Sequence, residues 1–424
     1  MAPADGCPSS AALRNAVQGA ELSNDFPIPI SVKDILDVAG MPTRWGSQLF
    51  ARADKATTDI AAVARLRAAG ATVIGKTTTT EFAHSPLSTS PLTGVTRNPW
   101  RPNLTPGGSS AGAGVSVATG VVSLALATDA GCSTRLPASC TATFGLKPTL
   151  GLIPHDRVPD AFGNFIHLGL IARSVSTLGD GLLAVAGPHS ADPHSNRQPT
   201  KGSDRSGLRG KRVLMWMKAG NQRVSEEVHL ATLKAAEVLS QLGATVSQAE
   251  YTLPNPDPIW RILQQSNWAA RFATLPDDQR AQLSDSLRAG IDEALNYTGL
   301  DLARAQARRT ELFRAVQRVF EDVDFILTPC ASAPPVEVDR DPTEPLKVDN
   351  VAVGDLRSEW TTYLSLFDLT GHPALAMPVA FAENGGPIGV QLVARWDADR
   401  DLLAAAAEYE RVLPAPIWRD ESRR

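Results

Sequence analysis

The chain has 424 residues, of which 43% are hydrophobic and 20% are charged, as in ordinary soluble globular proteins. Its net charge of −4 gives no reason to expect nucleic acid or an anionic membrane as a partner. Its four cysteines are scattered and include no CxxC pair, which argues against a disulfide scaffold and against a structural zinc site. No positively charged start leads into an apolar run, so we predict no secretory signal and expect a cytoplasmic location.

The first predicted elements are a helix over residues 54–69 and a short buried strand over residues 71–75. Thr58 is the expected cap of the helix, and Gly70 fits a left-handed stop. Lys76 follows the strand directly, at its carboxyl end. Because ligands of open α/β sheets bind beyond the carboxyl ends of the strands, Lys76 is a candidate site residue.

A loop rich in Pro, Thr, Asn and Ser is predicted over residues 85–108, followed by a helix of small residues over 110–120 and a strand over 121–128. A helix of this length advances about 16 Å. The strand can return about 25 Å in the opposite sense. The chain can therefore bring Ser133 back to the neighbourhood of Ser109.

The rest of the chain continues the alternation of strands and helices. Strands are predicted over 212–217, 325–328 and 387–393, and helices over 226–242 (with Ser225 as N-cap), 301–321 and 399–411. Residues 187–210 are polar and rich in Pro, Gly and Ser, and we expect a surface crossing there. This alternation predicts an α/β protein.

Two serine-containing turns flank the predicted small-residue helix and the strand after it. Ser109 and Ser110 follow two glycines, a pattern that fits a helix N-cap, a catalytic serine or a phosphate-binding loop. Ser133 lies in the segment DAGCSTR at 129–135. There the alternatives are a turn serine and a nucleophile beside backbone N–H groups that stabilise an oxyanion.

A serine nucleophile needs a nearby base, and Lys76 is our candidate. Its pKa would have to fall from about 10.4 to about 7–8, which burial can achieve. The alternative interpretation is a surface lysine, and Lys33 and Lys147 are rival bases. The histidines have no metal-ligand spacing, and no Gly-x-Ser-x-Gly elbow supports a Ser-His-Asp triad.

Several segments together resemble the amidase signature family. The central matches are IGK at 74–76, TPGGSSAG at 105–112, TDAGCSTRLP at 128–137 and FGLKPT at 144–149. The flanking matches are VKDILDVAGMP at 32–42, RNPW at 97–100, LTGHPA at 369–374 and GVQLV at 389–393. The resemblance extends over roughly residues 27 to 411. The central block is long and specific, so the chain is identified as a member of this family.

The resemblance implies a Ser-cisSer-Lys triad. Carried onto this chain, Ser133 is the nucleophile, Ser109 the bridging serine after a cis Gly108-Ser109 peptide, and Lys76 the base. The implied oxyanion donors are the backbone N–H groups of Ala130, Gly131, Cys132 and Ser133. The implied supporting residues are Ser110, Thr128, Asp129 and Arg135. We predict no cofactor and no metal.

The expected fold is α/β, a single large domain over residues 1–424 with its signature core at about 70–155. A mixed, mostly parallel twisted sheet is expected, covered by helices on both faces. The chain departs from the family pattern at Cys132, where a glycine is usual, and at Ala111 in place of another glycine. The leading helical segment of the family is expected to be shortened.

The predicted reaction is hydrolysis of an amide or related C–N acyl bond, including anilides, carbamates (urethanes) and ureas, through an acyl-Ser133 intermediate. The alternatives are a glutaminase-like subunit of a transamidating complex and a non-catalytic binding protein of the same fold. The expected partner is a small amide or carbamate substrate, and the expected state is a monomer or homodimer. Six residues could be either core or walls of a substrate pocket: Phe162, Phe165, Ile166, Trp260, Trp268 and Cys330.

Overall fold

A ten-stranded mixed sheet runs through the residues that the computed structural model describes, which are 28–195, 207–250 and 255–419. The strands, in chain order, are β1 (Ile28–Lys33), β2 (Ala71–Thr77), β3 (Thr89–Ser90), β4 (Gly94–Val95), β5 (Leu124–Asp129), β6 (Phe144–Lys147), β7 (His167–Ala172), β8 (Arg212–Met215), β9 (Thr245–Gln248), β10 (Phe325–Pro329), β11 (Leu346–Val348), β12 (Val351–Gly354), β13 (Ala374–Phe381) and β14 (Pro387–Ala394). The order in the large sheet is β2-β1-β5-β7-β6-β13-β14-β10-β8-β9. Two small hairpins, β3 with β4 and β11 with β12, lie outside it.

The direction of pairing changes along this sheet. Strands β2, β1 and β5 are parallel at one end, and β10, β8 and β9 are parallel at the other. The pairings between β5 and β10 are antiparallel. The predicted mixed α/β sheet is therefore confirmed, and parallel pairing is concentrated at its two ends.

Helices cover both faces of the sheet. They are α1 (Ala61–Ala68), α2 (Ala111–Ala118), α3 (Arg135–Cys140), α4 (Val175–Val185), α5 (Glu226–Gln241), α6 (Asp257–Phe272), α7 (Asp277–Arg280), α8 (Asp285–Ala294), α9 (Gly299–Asp322), α10 (Leu356–Trp360), α11 (Thr362–Thr370) and α12 (Asp399–Val412). Successive residues of a strand point to opposite faces. In β5, Leu124 packs into the core beneath α1, α4, α5 and α12, whereas Ala125 packs into the core beneath α2 and α3.

Two helices with strong capping signals begin at or near the predicted residues: α5 begins at Glu226, as predicted, and α9 begins at Gly299, two residues before the predicted start. Ser225 accepts a hydrogen bond from the Val228 N–H at the start of α5, and Thr298 forms a capping box with Asp301 at the start of α9. The helix predicted over 54–69 is shorter, because α1 begins only after Ile60. Upstream, the Asp59 carboxylate accepts a hydrogen bond from the Ala39 N–H, so this stretch is bound to the neighbouring loop.

Some predictions fall on residues outside the described ranges. These are the shortened N-terminal segment and the part of the predicted surface crossing at 196–206. Among the described residues, no helix combines the length and apolar composition that a membrane crossing needs.

Candidate active site

Lys33 ends β1, between the parallel neighbours β2 and β5, and its side chain is completely buried. Its Nζ donates hydrogen bonds to Ser109 Oγ at 2.6 Å and to Thr128 Oγ1 at 2.8 Å. Burial lowers the pKa of Lys33 from 10.5 to about 7, against the opposing effect of the nearby Asp129 carboxylate. A lysine with this pKa is half neutral at pH 7, as a general base requires.

The prediction that Lys76 contacts Ser109 is wrong. Its Nζ lies 3.1 Å from Asp34 Oδ1 and donates to Thr43 Oγ1 at 3.0 Å. Lys76 pairs in register with Val32, so these two side chains share a face of the sheet, and Lys33 points to the opposite face. The face of Lys33 is the one covered by α2, because Ser31 Oγ contacts Ser116 Oγ of that helix at 3.0 Å.

The other rival, Lys147, also has partners other than Ser109. It is buried, and its Nζ donates to the His372 carbonyl at 2.5 Å and to the Pro148 carbonyl at 3.3 Å. Burial lowers its pKa to about 7 as well. A lowered pKa alone therefore does not identify the site lysine, and the contact with the Ser109 hydroxyl does.

The turn before Ser109 is held by close backbone contacts. The Gly108-Ser109 peptide is cis, as expected from the family resemblance. A Cβ on Gly108 would lie 1.9 Å from the Leu87 carbonyl oxygen, so no larger residue fits there. Ser110 stands at the N-cap of α2 without a capping hydrogen bond, and its hydroxyl instead donates to the Thr128 carbonyl at 3.4 Å. The turn is thereby joined to the end of β5.

Ser133 follows β5 and borders a large cavity, with 8% of its surface exposed. Within the described ranges, its hydroxyl has no hydrogen-bond partner. In the same part of the chain, the backbone N–H groups of Gly131, Cys132 and Ser133 donate to no protein acceptor. The carbonyl of Ala130 accepts a hydrogen bond from Trp260 Nε1 at 2.6 Å, which fixes the start of this loop against α6. A free hydroxyl and free donors therefore adjoin one cavity.

Cys132 joins the two serine turns. Its Sγ donates to the Gly108 carbonyl at 3.6 Å, and the side chain is buried. Burial raises the pKa of its thiol to about 12, so the thiol stays protonated and is a poor nucleophile. Its φ is not left-handed, so a residue with a side chain is accommodated where the family usually has glycine.

A buried ionic cluster supports the loop from behind. Arg135 Nε donates to Asp129 Oδ2 at 2.8 Å, and its two other nitrogens donate to Gln391 at 2.5 Å and to Asp368 at 2.6 Å. Asp129 Oδ2 also accepts from the Thr134 N–H at 3.1 Å. Burial disfavours ionisation of Asp129, but the Arg135 charge lowers its pKa below the ordinary value, whereas burial raises the pKa of Asp368. The cluster thus fixes the path of residues 129–135.

The cavity beside Ser133 has a volume of about 610 Å³ and is lined mostly by apolar and aromatic side chains. Of the predicted wall residues, Phe165, Ile166, Trp260 and Trp268 line it. The other two are corrections. Phe162 is 86% exposed because its side chain points to solvent, and Cys330 is completely buried in the core beneath α2 and α3.

Sequence reasoning missed several residues of the cavity. Trp45, Phe82, Arg271 and Arg357 also line it. Arg357 lies beside Gly131, since a Cβ on that glycine would be 2.9 Å from Arg357 Nη1. The two residues are far apart in the chain, and no local pattern predicts the contact. The only signal near Arg357 is the N-cap Asp355, which marks the start of α10.

Comparisons with known proteins agree with this geometry. The amidase family model matches residues 10–403. An acylamidase of Rhodococcus erythropolis is 30% identical over 96% of this chain and 85% of its own length. The structure of a bacterial aryl acylamidase of the amidase signature family superposes with a TM-score of 0.85 at 26% identity, covering 95% of this chain and 86% of that one.

A third relative is one component of an amidotransferase. This glutamyl-tRNA(Gln) amidotransferase subunit of Thermotoga maritima superposes with a TM-score of 0.76 at 25% identity, covering 91% of this chain and 83% of that one. The family match extends over nearly the whole chain and includes the serine turns, β5 and the loop after it. This chain belongs to the amidase signature family and is a hydrolase acting on non-peptide amides.

Proposed function

We propose that the protein hydrolyses amides, anilides or related C–N acyl bonds through an acyl-Ser133 intermediate, with Lys33 as the base acting through Ser109. The observation that carries this proposal is the 2.6 Å contact of the buried Lys33 Nζ with Ser109 Oγ. Thr128, the second acceptor of Lys33 Nζ, lines the same cavity as Ser133, whose hydroxyl has no hydrogen-bond partner in the described part of the chain.

In the acylation step, neutral Lys33 accepts the Ser109 proton while Ser109 accepts the proton of Ser133. The Ser133 Oγ forms a bond to the substrate carbonyl carbon, whose oxygen becomes an oxyanion. Lys33 then returns the proton through Ser109 to the nitrogen of the breaking C–N bond, and the amine leaves. In the second step a water molecule gives a proton through Ser109 to Lys33 as its oxygen bonds to the acyl carbon. The proton then returns through Ser109 to Ser133 Oγ as the bond between Ser133 Oγ and that carbon breaks, and the acid product leaves.

The backbone N–H groups of Gly131, Cys132 and Ser133 are the donors for the oxyanion. One such donor typically lowers the barrier by about 3 kcal/mol. The side chain at Cys132 leaves this role intact, because the donors are main-chain groups and the thiol points to the Gly108 carbonyl. The supporting roles of Thr128 and Asp129 follow from their bonds to Lys33 and Arg135.

The lining of the cavity favours substrates with a bulky apolar or aromatic group. Trp260 and Trp268 meet edge to face, with ring centroids 5.9 Å apart, and Phe165 lines the same cavity. Anilides, aryl carbamates and aryl ureas combine such a group with a C–N acyl bond. We place carbamates and ureas after anilides because their carbonyl carbon is less electrophilic.

The test is turnover of 4-nitroanilide, primary amide, carbamate and ester substrates by the purified chain. We expect hydrolysis of the anilides by the wild type and a loss of at least about a thousandfold in Ser133→Ala. The matched control is Ser116→Ala, which removes a hydroxyl that contacts Ser31 and not the cavity. Normal turnover by Ser133→Ala would contradict the proposal.

The likeness to an amidotransferase component supports a second candidate, a glutaminase that works with partner chains. The aromatic lining of the cavity fits glutamine less well than it fits an anilide. Hydrolysis of anilides by the chain alone favours the free-standing enzyme. Glutamine hydrolysis that appears only after a partner chain is added favours the glutaminase.

A further inference from the structure

One cation of the cavity lies beside the loop that carries Ser133. Arg357 belongs to the short helix α10, whose N-cap Asp355 accepts hydrogen bonds from the N–H groups of Arg357 and Ser358. The guanidinium stacks on the Trp260 indole, with its central carbon 3.6 Å from the ring centroid. Its Nη1 is the atom that a Cβ on Gly131 would meet at 2.9 Å. The charge is therefore held against the loop that carries Ser133, at Gly131.

Arg357 is not neutralised by a neighbouring carboxylate. Among the described residues it forms no ion pair, and the nearby Asp257 and Asp355 are both bound by Arg261. Its Nη2 donates to the His84 carbonyl at 3.3 Å, but its Nη1 is shielded from solvent and has no acceptor. A buried donor of a guanidinium, which stays protonated in proteins, strongly favours a charged acceptor.

The other charges of the cavity leave its balance positive. Asp37 forms an ion pair with Arg157, and Asp160 accepts hydrogen bonds from the backbone of the loop that follows it. Arg271 lies over aromatic rings, 4.5 Å from the centroid of Trp45, and has no ion pair in the described part of the chain. Arg271 is exposed to solvent. Among the described residues that line the cavity, Arg357 is therefore the cation whose buried donor, Nη1, has no acceptor, and this donor lies beside Gly131.

We infer that Arg357 determines specificity by binding a carboxylate that the substrate carries within a few bonds of the scissile carbonyl. The preferred substrates are then amides that combine a bulky apolar group with a negative charge. This inference rests on the proposed function, because it assigns the substrate class of that same site. A single charge-assisted hydrogen bond from Nη1 fixes the acid next to Gly131, and the aromatic walls accept the rest of the molecule.

The test compares three anilides. Butyryl-4-nitroanilide is neutral, succinyl-4-nitroanilide carries a carboxylate in place of its terminal methyl group, and 5-butyramido-2-nitrobenzoate carries one on the ring. Comparing the last two substrates shows whether the enzyme prefers a carboxylate on the acyl group or on the amine that leaves. We expect the wild type to have at least a tenfold higher kcat/KM for one of the charged substrates than for the neutral one.

In Arg357→Gln the ratio of kcat/KM for the charged substrate to kcat/KM for the neutral one should fall about ten- to a hundredfold, which is the usual effect of losing a hydrogen bond to a charged group. The kcat/KM for the neutral substrate should change by only a few-fold. Arg357→Lys should retain part of the preference. The matched control is Arg271→Gln, which removes another cation of the cavity and should alter the preference less than about threefold, because solvent screens an exposed charge. An equal fall for all three substrates in Arg357→Gln would mean a structural role and overturn the inference.

Binding to Ser133→Ala separates this inference from the proposed function. Calorimetry should give tighter binding of a charged anilide than of the neutral one, and the difference should disappear in Ser133→Ala/Arg357→Gln. If the charged anilide binds more tightly but the wild type hydrolyses none of the three compounds, the proposed hydrolysis is refuted and the inferred preference for an anion is retained. Turnover without any preference for charge, or equal affinity for all three compounds, would refute the role of Arg357.

Discussion

Lys33 Nζ is held by two hydroxyl groups, and among the described residues no carboxylate forms an ion pair with it. Its charge is therefore poorly compensated, and burial lowers its pKa to about 7. Burial also lowers the pKa of Lys76, but the Asp34 carboxylate, 3.1 Å from its Nζ, opposes this effect by favouring the charged form. Two lysines on neighbouring strands thus differ in their capacity to accept a proton.

Exchanging each lysine for methionine should separate these roles. Lys33→Met removes the base, and we expect a loss of kcat of at least about a thousandfold. Lys76→Met removes an ion pair on the other face of the sheet, away from the reacting serines, and should change kcat less than about threefold. Steady-state kinetics with an anilide substrate measures both. An inactive Lys76→Met that remains folded by circular dichroism would contradict the assignment.

The pH dependence of activity should follow the ionisation of Lys33. Its charged form cannot accept the Ser109 proton, so kcat/KM should increase from pH 6 to pH 8 with an apparent pKa of about 7 and then level off. The profile is measured with an uncharged anilide, whose own ionisation does not change in this range. A flat profile between pH 6 and pH 9 would show that Lys33 is not the titrating base.

The proposed reacting groups lie at the ends of β1 and β5, in the turn before α2 and in the loop after β5. The sequence predicted strand β2, helix α2, strand β5 and both serine turns, because their glycines and small residues are local signals. It predicted Lys76 in place of Lys33 as the partner of Ser109, since that contact depends on the order of strands in the sheet. With β1 between β2 and β5, Lys33 faces α2 and Lys76 does not.

The loop after β5 depends on Arg135. We expect Arg135→Met to lower the free energy of unfolding by about 3–5 kcal/mol, because it leaves the Asp129 and Asp368 carboxyl groups buried without their shared cation. Urea unfolding measures the change. Arg280→Met, which removes a partly exposed ion pair with Asp292, is the matched control and should cost less than about 1 kcal/mol. Equal losses in the two variants would refute the special role of the buried cluster.

Across the whole molecule, contacts between distant parts of the chain complete both the core and the cavity. Arg135 bonds to Gln391 and Asp368, and Arg357 lies against Gly131, so residues from beyond position 350 surround a loop near position 130. The sequence predicted the α/β class from the alternation of elements. The antiparallel centre of the sheet and the far walls of the cavity arise from chain reversals that carry no local pattern.

The two buried lysines also make stability depend on pH. The pKa values of Lys33 and Lys147 are lowered from 10.5 to about 7, so between these values the unfolded chain binds more protons than the folded one. The free energy of unfolding therefore increases with pH through this window, by on the order of 3 kcal/mol from pH 7 to pH 8.5. Urea unfolding at several pH values measures it. Lys147→Met should remove about half of the slope, and an unchanged slope would contradict this origin.

The contact between Lys33 and the end of β5 has a consequence for how such an enzyme diversifies. The proposed base Lys33 and its partner Thr128 lie on adjacent parallel strands, and Ser109 lies in the turn before α2, whereas the cavity walls include α6, α10 and the loop around residues 155–166. We expect substitutions in those walls to change which molecules bind while leaving the contacts of Lys33 with Ser109 and Thr128 in place. Single substitutions in the cavity walls are therefore expected to change the substrate, while the groups proposed to carry out the reaction stay the same.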